Sequence, residues 1–250
     1  MSKISALIIT LNEAKNIGAV IENLDLADEI IIVDSYSTDD TVSIAKTYPK
    51  VKVYQHKFED FTTQRNFALG KANYEWILFL DADERITLPL KEEIKNTITK
   101  PDTAEAYFFY RKFIFKNEPL NYSGWQTDKN IRLFKKSKCR YTEERLVHEV
   151  LEVDGKCACL RNKLIHYSYE TYSSYKGKML SYARLKAKEL ALKGIQPNMF
   201  HYVIKPVYKF FHSYVIRLGF LDGKKGLIIC YLNALSVYKR YPFMKEISED

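Results

Sequence analysis

Three acids fall within four positions at Asp81, Asp83 and Glu84, directly after five unbroken apolar residues at 76–80. In extended chain, Asp81 and Asp83 stand at i and i+2 and point the same way. Two carboxylates on one side of a sheet edge repel unless a cation lies between them or one is protonated. A divalent metal holding a phosphorylated ligand is the simplest resolution; an acidic turn capping the next helix is the plain alternative. Further groups with chemical capacity are Asn12-Glu13, Asp34, Arg65-Asn66 and His166. Glu143, Glu144, His148 and Glu149 put four titratable side chains into seven positions.

The elements that must position these groups are read from periodicity. Ile4–Thr10, Glu29–Asp34, 51–57 and 74–80 have the composition of strands. Helical spacing covers 13–24, 38–48 and 61–71, the second opened by Ser37 or Thr38 as its cap. This alternation predicts an α/β protein with a doubly wound, mostly parallel sheet. In such sheets ligands bind outside the carboxyl ends of the strands. Asn12-Glu13, Asp34 and Asp81-x-Asp83 all follow strands, so they can meet at one crevice. The turn at 10–14 holds no glycine, which argues against dinucleotide oxidoreductases and P-loop enzymes. A nucleotide held here is held by side chains and a metal. Beyond, a helix is expected at 88–99 and strands at 104–115, 130–135 and 159–168. Helices follow at 172–193, 199–218 and 227–238, with a turn at 223–226.

Hydrophobic content of 46% with 28% charge is that of a globular chain. Residues 167–250 hold 14 Lys and Arg against 6 Asp and Glu, so the tail carries all of the net +8. That asymmetry points to an anionic partner, a membrane surface or a nucleic acid. The aromatic-rich strand at 107–115 lies in the neutral part, so the stacking platform and positive charge of a single-strand binder do not coincide. Nucleic acid is therefore the disfavoured partner. The four cysteines are scattered and read as reduced thiols of a cytoplasmic protein. The chain is read as having no leader and no spanning helix, since 227–238 is too short an apolar run.

Taken in order, ISALIITLNEAKNI, IIIVDSYSTDDT, QRNFAL and WILFLDADE resemble the successive sugar-nucleotide motifs of family-2 glycosyltransferases of the GT-A fold. GWQTDKNIRLFKK, YTEERLVHE, LIHYSY and FLDGKKG resemble the acceptor-side and tail segments of the lipopolysaccharide-core glucosyltransferase subgroup. The resemblance implies a GT-A catalytic domain at 1–169 and a basic amphipathic helical extension at 170–250, which contacts a membrane surface or a second subunit.

It further implies an inverting, metal-dependent hexosyltransferase. The donor would be a nucleotide-sugar, a UDP-sugar first. The acceptor would be a lipid-linked saccharide, such as a lipopolysaccharide or lipooligosaccharide core sugar, at the inner face of the cytoplasmic membrane. The alternative within the family is a polyprenyl-phosphate glycosyltransferase. Thr10, Asn12, Glu13, Asp34, Arg65 and Asp81 would bind the nucleotide-sugar. Asp83 and His166 would hold Mg²⁺ or Mn²⁺. Glu149 would be the catalytic base, with Glu144 and Glu143 as alternates. Trp125, Asp128 and Arg132 would bind the acceptor. One departure from the family pattern is Tyr36, which stands where a glycine or small residue is expected.

Overall fold

The computed structural model describes residues 2–142, 150–169 and 171–249. The described chain forms two compact units, residues 1–111 with 129–166, and residues 112–128 with 167–250. The sequence-based boundary at 169/170 thus differs from the observed one. Residues 112–128 belong with the C-terminal helices, because Phe113, Phe115 and Leu120 bury against Tyr175, Ile229 and Leu232.

The first unit begins with β1 (Ile4–Thr10), α1 (Ala14–Asn23), β2 (Glu29–Asp34), α2 (Thr41–Lys46), β3 (Val51–Gln55), α3 (Phe61–Lys71) and β4 (Trp76–Asp81). These four strands are parallel in the order β3-β2-β1-β4. A short β5 (Glu84–Ile86) and α4 (Leu88–Ile98) follow, then β6 (Ala106–Phe115), which runs into the second unit and pairs there with β7 (Glu118–Leu120). β8 (Lys129–Lys135) lies antiparallel between β4 and β6. β9 (Cys139–Thr142) and β10 (Val150–Val153) form a hairpin, β11 (Cys157–Cys159) pairs with β6, and β12 (Leu164–Tyr169) is antiparallel to β5.

The central strands alternate between two apolar layers. Ala6, Ile8, Ile30, Ile32, Leu78 and Leu80 pack in one core with Ile17, Val20 and Ile21 of α1. Leu7, Ile31, Val33, Ile77 and Phe79 pack in the other with Ala68 and Leu69 of α3. Burial on both faces is why these strands read as unbroken apolar runs. Because β1 is followed by β2 on one side and has β4 on the other, the sheet has its switch point between β1 and β4. That is where a doubly wound sheet opens a crevice for a ligand.

The helix expected over 38–48 is shorter, six residues from Thr41. The reason is local: Thr38 and Asp39 hydrogen-bond to Asn12 and Ala14 in the loop after β1 and cannot also wind into a helix.

The second unit contains α5 (Tyr172–Leu192), α6 (Lys205–Phe211) and α7 (Gly223–Glu249). The expected helix at 227–238 and turn at 223–226 are both absorbed into α7. It runs on through Pro242 because Tyr241, Phe243 and Met244 bury against Ala183 and Ala187 of α5. Gly226 is forced by close approach: a Cβ there would lie 1.8 Å from the Gly219 carbonyl oxygen. No helix of the described residues is long and apolar enough to cross a membrane.

Candidate functional site

The site is assembled at the carboxyl ends of β1, β2 and β4. Thr10 ends β1 opposite Asp34 in the register, and Ile9 stands opposite Asp81. The loop after β1 turns through Asn12 in the left-handed region (φ +56°) and is tied to the loop after β2. Asn12 donates its N–H to Ser37 Oγ at 2.8 Å, and its side-chain oxygen accepts from the Thr38 N–H at 2.8 Å. The Glu13 N–H reaches Thr41 Oγ1 at 2.8 Å. Asp34 is fully buried and accepts from the Ser37 N–H at 2.9 Å and from the Ser37 hydroxyl. In this arrangement Asp34 braces the loop that faces the crevice. Tyr36 takes a left-handed conformation (φ +62°) and is 56% exposed. This is the backbone geometry for which a glycine is the easy choice, and here an exposed tyrosine ring projects from it.

The QRN stretch of α3 makes three separate attachments. Gln64 donates to Ser35 Oγ at 2.9 Å and lies 2.8 Å from His56 Nδ1, joining the ends of β2 and β3. Arg65 reaches Asp81 Oδ1 at 3.3 Å, its guanidinium 4.7 Å from the centre of the Phe79 ring. Asn66 pairs with the Tyr141 backbone, donating to its carbonyl at 2.9 Å and accepting from its N–H at 3.1 Å. Asn66 thereby fixes the strand that leads into residues 143–149.

Asp81 lies between two arginines, Arg65 and Arg132. Burial alone would push its carboxyl up, but Arg132 and then Arg65 outweigh burial and hold it well below the usual carboxylate range. Glu84 is buried completely. It accepts from the Asp81 N–H at 3.1 Å and from Arg132 Nη2 at 2.7 Å, and Arg111 lies 3.5 Å away. Its burial and the neighbouring Asp81 carboxylate raise its pKa, against the pull of Arg132. Arg132, a candidate acceptor-binding residue, is 3% exposed and holds the two acids that flank the turn at 82–83.

That turn carries Asp83 out of the sheet. Arg85 clamps it from below, donating to the Ala82 and Glu84 carbonyls at 2.7 Å each and to Asn16 O at 3.0 Å. Asp83 Oδ2 then sits 3.1 Å from His166 Nε2 on β12. Glu13 is close enough for Asp83 to help raise its pKa, although burial is the larger cause. Among the described residues, no group of three His, Cys, Asp or Glu side chains is arranged to hold a metal by itself. Asp83 and His166 nevertheless fit a divalent ion whose other ligands would come from a bound phosphate: one carboxylate oxygen from the turn after β4 and one imidazole nitrogen from β12 converge.

Beside this cluster lies a cavity of about 540 Å³, lined by Arg65, Asp81, Phe108, Asn130, Arg132 and Tyr141 among others. A register shift between Tyr107 and Phe108 where β6 meets β8 marks the strand that lends it Phe108. Two buried polar atoms at the site lack hydrogen-bond partners among the described residues, Thr10 Oγ1 and Arg132 Nε. Such orphans mark places where a ligand completes the network.

Five expected residues remain, three outside the described residues and two in the second unit. Glu143, Glu144 and Glu149 fall outside the described residues. Trp125 belongs to the second unit, where its ring packs 4.2 Å from Phe113 and 6.3 Å from Tyr175. It is partly buried against that aromatic core. Asp128 is also in the second unit, half-buried, its N–H donating to the Trp125 carbonyl at 3.2 Å. The residues to which sequence reasoning gave no role are Gln64, Glu84, Arg85 and Arg111. Gln64 carried a signal as the first member of the QRN stretch, and Glu84 as the last acid of the cluster after β4.

Residues 5–165 match the model of the family described as Glycosyl transferase family 2. The chain belongs to glycosyl transferase family 2. This transferase is 26% identical to the lipopolysaccharide core biosynthesis glycosyltransferase LpsC of Rhizobium meliloti, over 95% of this chain and 93% of that one. It is 30% identical to an uncharacterized glycosyltransferase of Rickettsia felis, over 98% and 90%. Its fold is the GT-A arrangement. The Pyrobaculum calidifontis mannosyltransferase PcManGT, solved with GDP-Man and Mn2+, superposes with a TM-score of 0.58 at 13% identity, covering 97% of this chain and 87% of that one. The S. aureus TarS complex with UDP-GlcNAc gives 0.51 at 15% identity, covering 99% and 92%.

Proposed function

We propose that this glycosyltransferase moves a hexose from a nucleotide-sugar, a UDP-sugar first, to a lipid-linked saccharide with inversion at the anomeric carbon. The observation that carries the reading is the Asp83–His166 pair, 3.1 Å apart, beside the Arg65–Asp81–Arg132 cluster at the β1/β4 switch point. Thr10, Asn12, Glu13 and Asp34 line the loops that would receive the nucleoside, and Thr10 Oγ1 has a hydrogen bond left to give. Arg65 and Asp81 would meet the ribose and the diphosphate. Asp83 and His166 would hold Mg²⁺ or Mn²⁺.

The bound ion would supply charge stabilisation for the departing diphosphate. The acceptor hydroxyl is a poor nucleophile, so a carboxylate must take its proton as it attacks. Glu149 is assigned that role, with Glu144 and Glu143 as alternates; in the sequence all three fall between β9, which Asn66 fixes, and β10. Arg132 acts through Asp81 and Glu84 and keeps the turn rigid, so that Asp83 is presented without reorganisation. The relative LpsC, named for lipopolysaccharide core biosynthesis, supports a core saccharide as acceptor class.

The test is transfer from a panel of nucleotide-sugars to core oligosaccharide and to polyprenyl phosphate, with product analysis by mass spectrometry. Hexose on the core oligosaccharide supports the reading. Product on the lipid phosphate alone replaces it with a polyprenyl-phosphate transferase.

A further inference from the structure

Between Glu189 and Asp222 the chain carries no aspartate or glutamate. Part of this stretch winds as a π turn at Phe200–Ile204, then α6, then a second π turn at His212–Ile216. Ordinarily the solvent side of such a helix is polar. Here it is the reverse: between His201 and Phe220 every well-exposed residue is aliphatic or aromatic. Phe200, Ile204, Val207, Tyr208, Phe211 and Ile216 follow helical spacing and are each 48% to 69% exposed. A continuous apolar stripe of this kind marks a contact surface.

Three cations accompany the stripe. Lys209, Arg217 and Arg240 form no ion pair among the described residues, and Arg240 Nε is buried without a hydrogen-bond partner. Lys209 is half-buried, and burial, followed by Arg240 and Arg217, depresses its pKa. Cations gathered within electrostatic reach of one another, with Glu189 reaching Arg240 as the one carboxylate that acts on the three among the described residues, are costly unless a further anion joins them.

We propose that this face docks on an anionic membrane surface, the apolar stripe entering the headgroup layer while Lys209, Arg217 and Arg240 take lipid phosphates. The inference adds a partner to the reading of a lipid-linked acceptor and rests on that reading for its purpose alone. A second copy of the chain fits the face less well. A two-fold interface brings the same patch against itself, setting these cations against one another, whereas a bilayer of anionic lipid supplies their counter-charge. No helix of the described residues is long and apolar enough to span, and the attachment proposed is interfacial.

Flotation of the full chain with vesicles tests this without any sugar transfer. Two compositions are compared, phosphatidylcholine alone and an equal mixture with phosphatidylglycerol. The protein is expected to float with the mixed vesicles. Lys209→Gln should weaken that binding roughly fivefold, and Tyr208→Ser with Phe211→Ser should weaken binding at both compositions. Both tyrosine and phenylalanine are exposed, so circular dichroism should match the wild type. Equal binding to the two compositions, no binding, or unaltered flotation of the stripe variant would overturn the proposal. So would a wild-type dimer in sedimentation that Phe211→Ser converts to monomer.

Discussion

Replacing Arg132 by Met removes the cation that Asp81 and Glu84 share while keeping much of its volume. The cost follows from how each acid is left. Glu84 is fully buried and keeps Arg111, at 3.5 Å, and the Asp81 N–H, at 3.1 Å. Asp81 has a side chain 33% exposed and keeps Arg65 at 3.3 Å, so water and one guanidinium recover part of its loss. Breaking a buried pair from one side costs about 3–5 kcal/mol; the exposure of Asp81 places this variant near the lower end, at about 3 kcal/mol. With two-state stabilities of roughly 5–15 kcal/mol for a domain, the variant should fold but be visibly weakened.

The sign with pH follows. In the variant, Glu84, whose pKa burial already raises, loses the cation that pulls it down most and moves further above its unfolded value. Such groups stabilise the fold below the unfolded pKa and lose that stabilisation as pH rises through the folded pKa. The penalty should therefore grow as pH rises above the ordinary carboxylate range. Adding Glu84→Gln removes the most deeply buried charge and should restore part of the loss and flatten the pH dependence. Urea unfolding followed by circular dichroism reads all of this. A loss below about 1 kcal/mol, or a penalty that shrinks as pH rises, would refute the argument.

Three further outcomes are expected. Asn66→Ala removes both bonds to the Tyr141 backbone and should cost about 1–3 kcal/mol; kcat should fall more than KM rises, because the strand end is loosened and not the donor pocket. Gly226→Ala drives a Cβ to 1.8 Å from a carbonyl oxygen, so the second unit should lose its cooperative thermal transition or unfold at lower temperature. Cys157 and Cys159 are exposed, while burial raises the Cys230 thiol and pushes the Cys139 thiol up to about 12. A thiol reagent near neutral pH should therefore titrate the exposed pair fast and the buried pair only on denaturation.

The sheet was legible because its strands are buried on both faces, and double burial writes itself as unbroken apolar runs at 4–10, 29–34 and 76–80. The acids at strand ends were legible for the same reason, since they interrupt those runs. What they bind to inside the protein was not. Arg132 is separated from Asp81 by about fifty residues, and nothing in its own neighbourhood marks it as buried. Trp125 shows the same limit: an aromatic beside glycine suits a sugar platform and a core equally, and its packing against Phe113 and Tyr175 is not written in its own neighbourhood. The left-handed turn at Tyr36 was visible as a missing glycine. The length of α7 was hidden by Pro242, whose local preference is overruled by buried neighbours.

The central claim is that Asp83 and His166 hold a cation on a sugar-bearing diphosphate. Calorimetric titration of UDP into the protein, with and without Mn²⁺, in wild type and Asp83→Ala, addresses it most directly. The account predicts binding that Mn²⁺ strengthens in the wild type and leaves unchanged in the variant. Equal strengthening of both proteins by Mn²⁺ would contradict it.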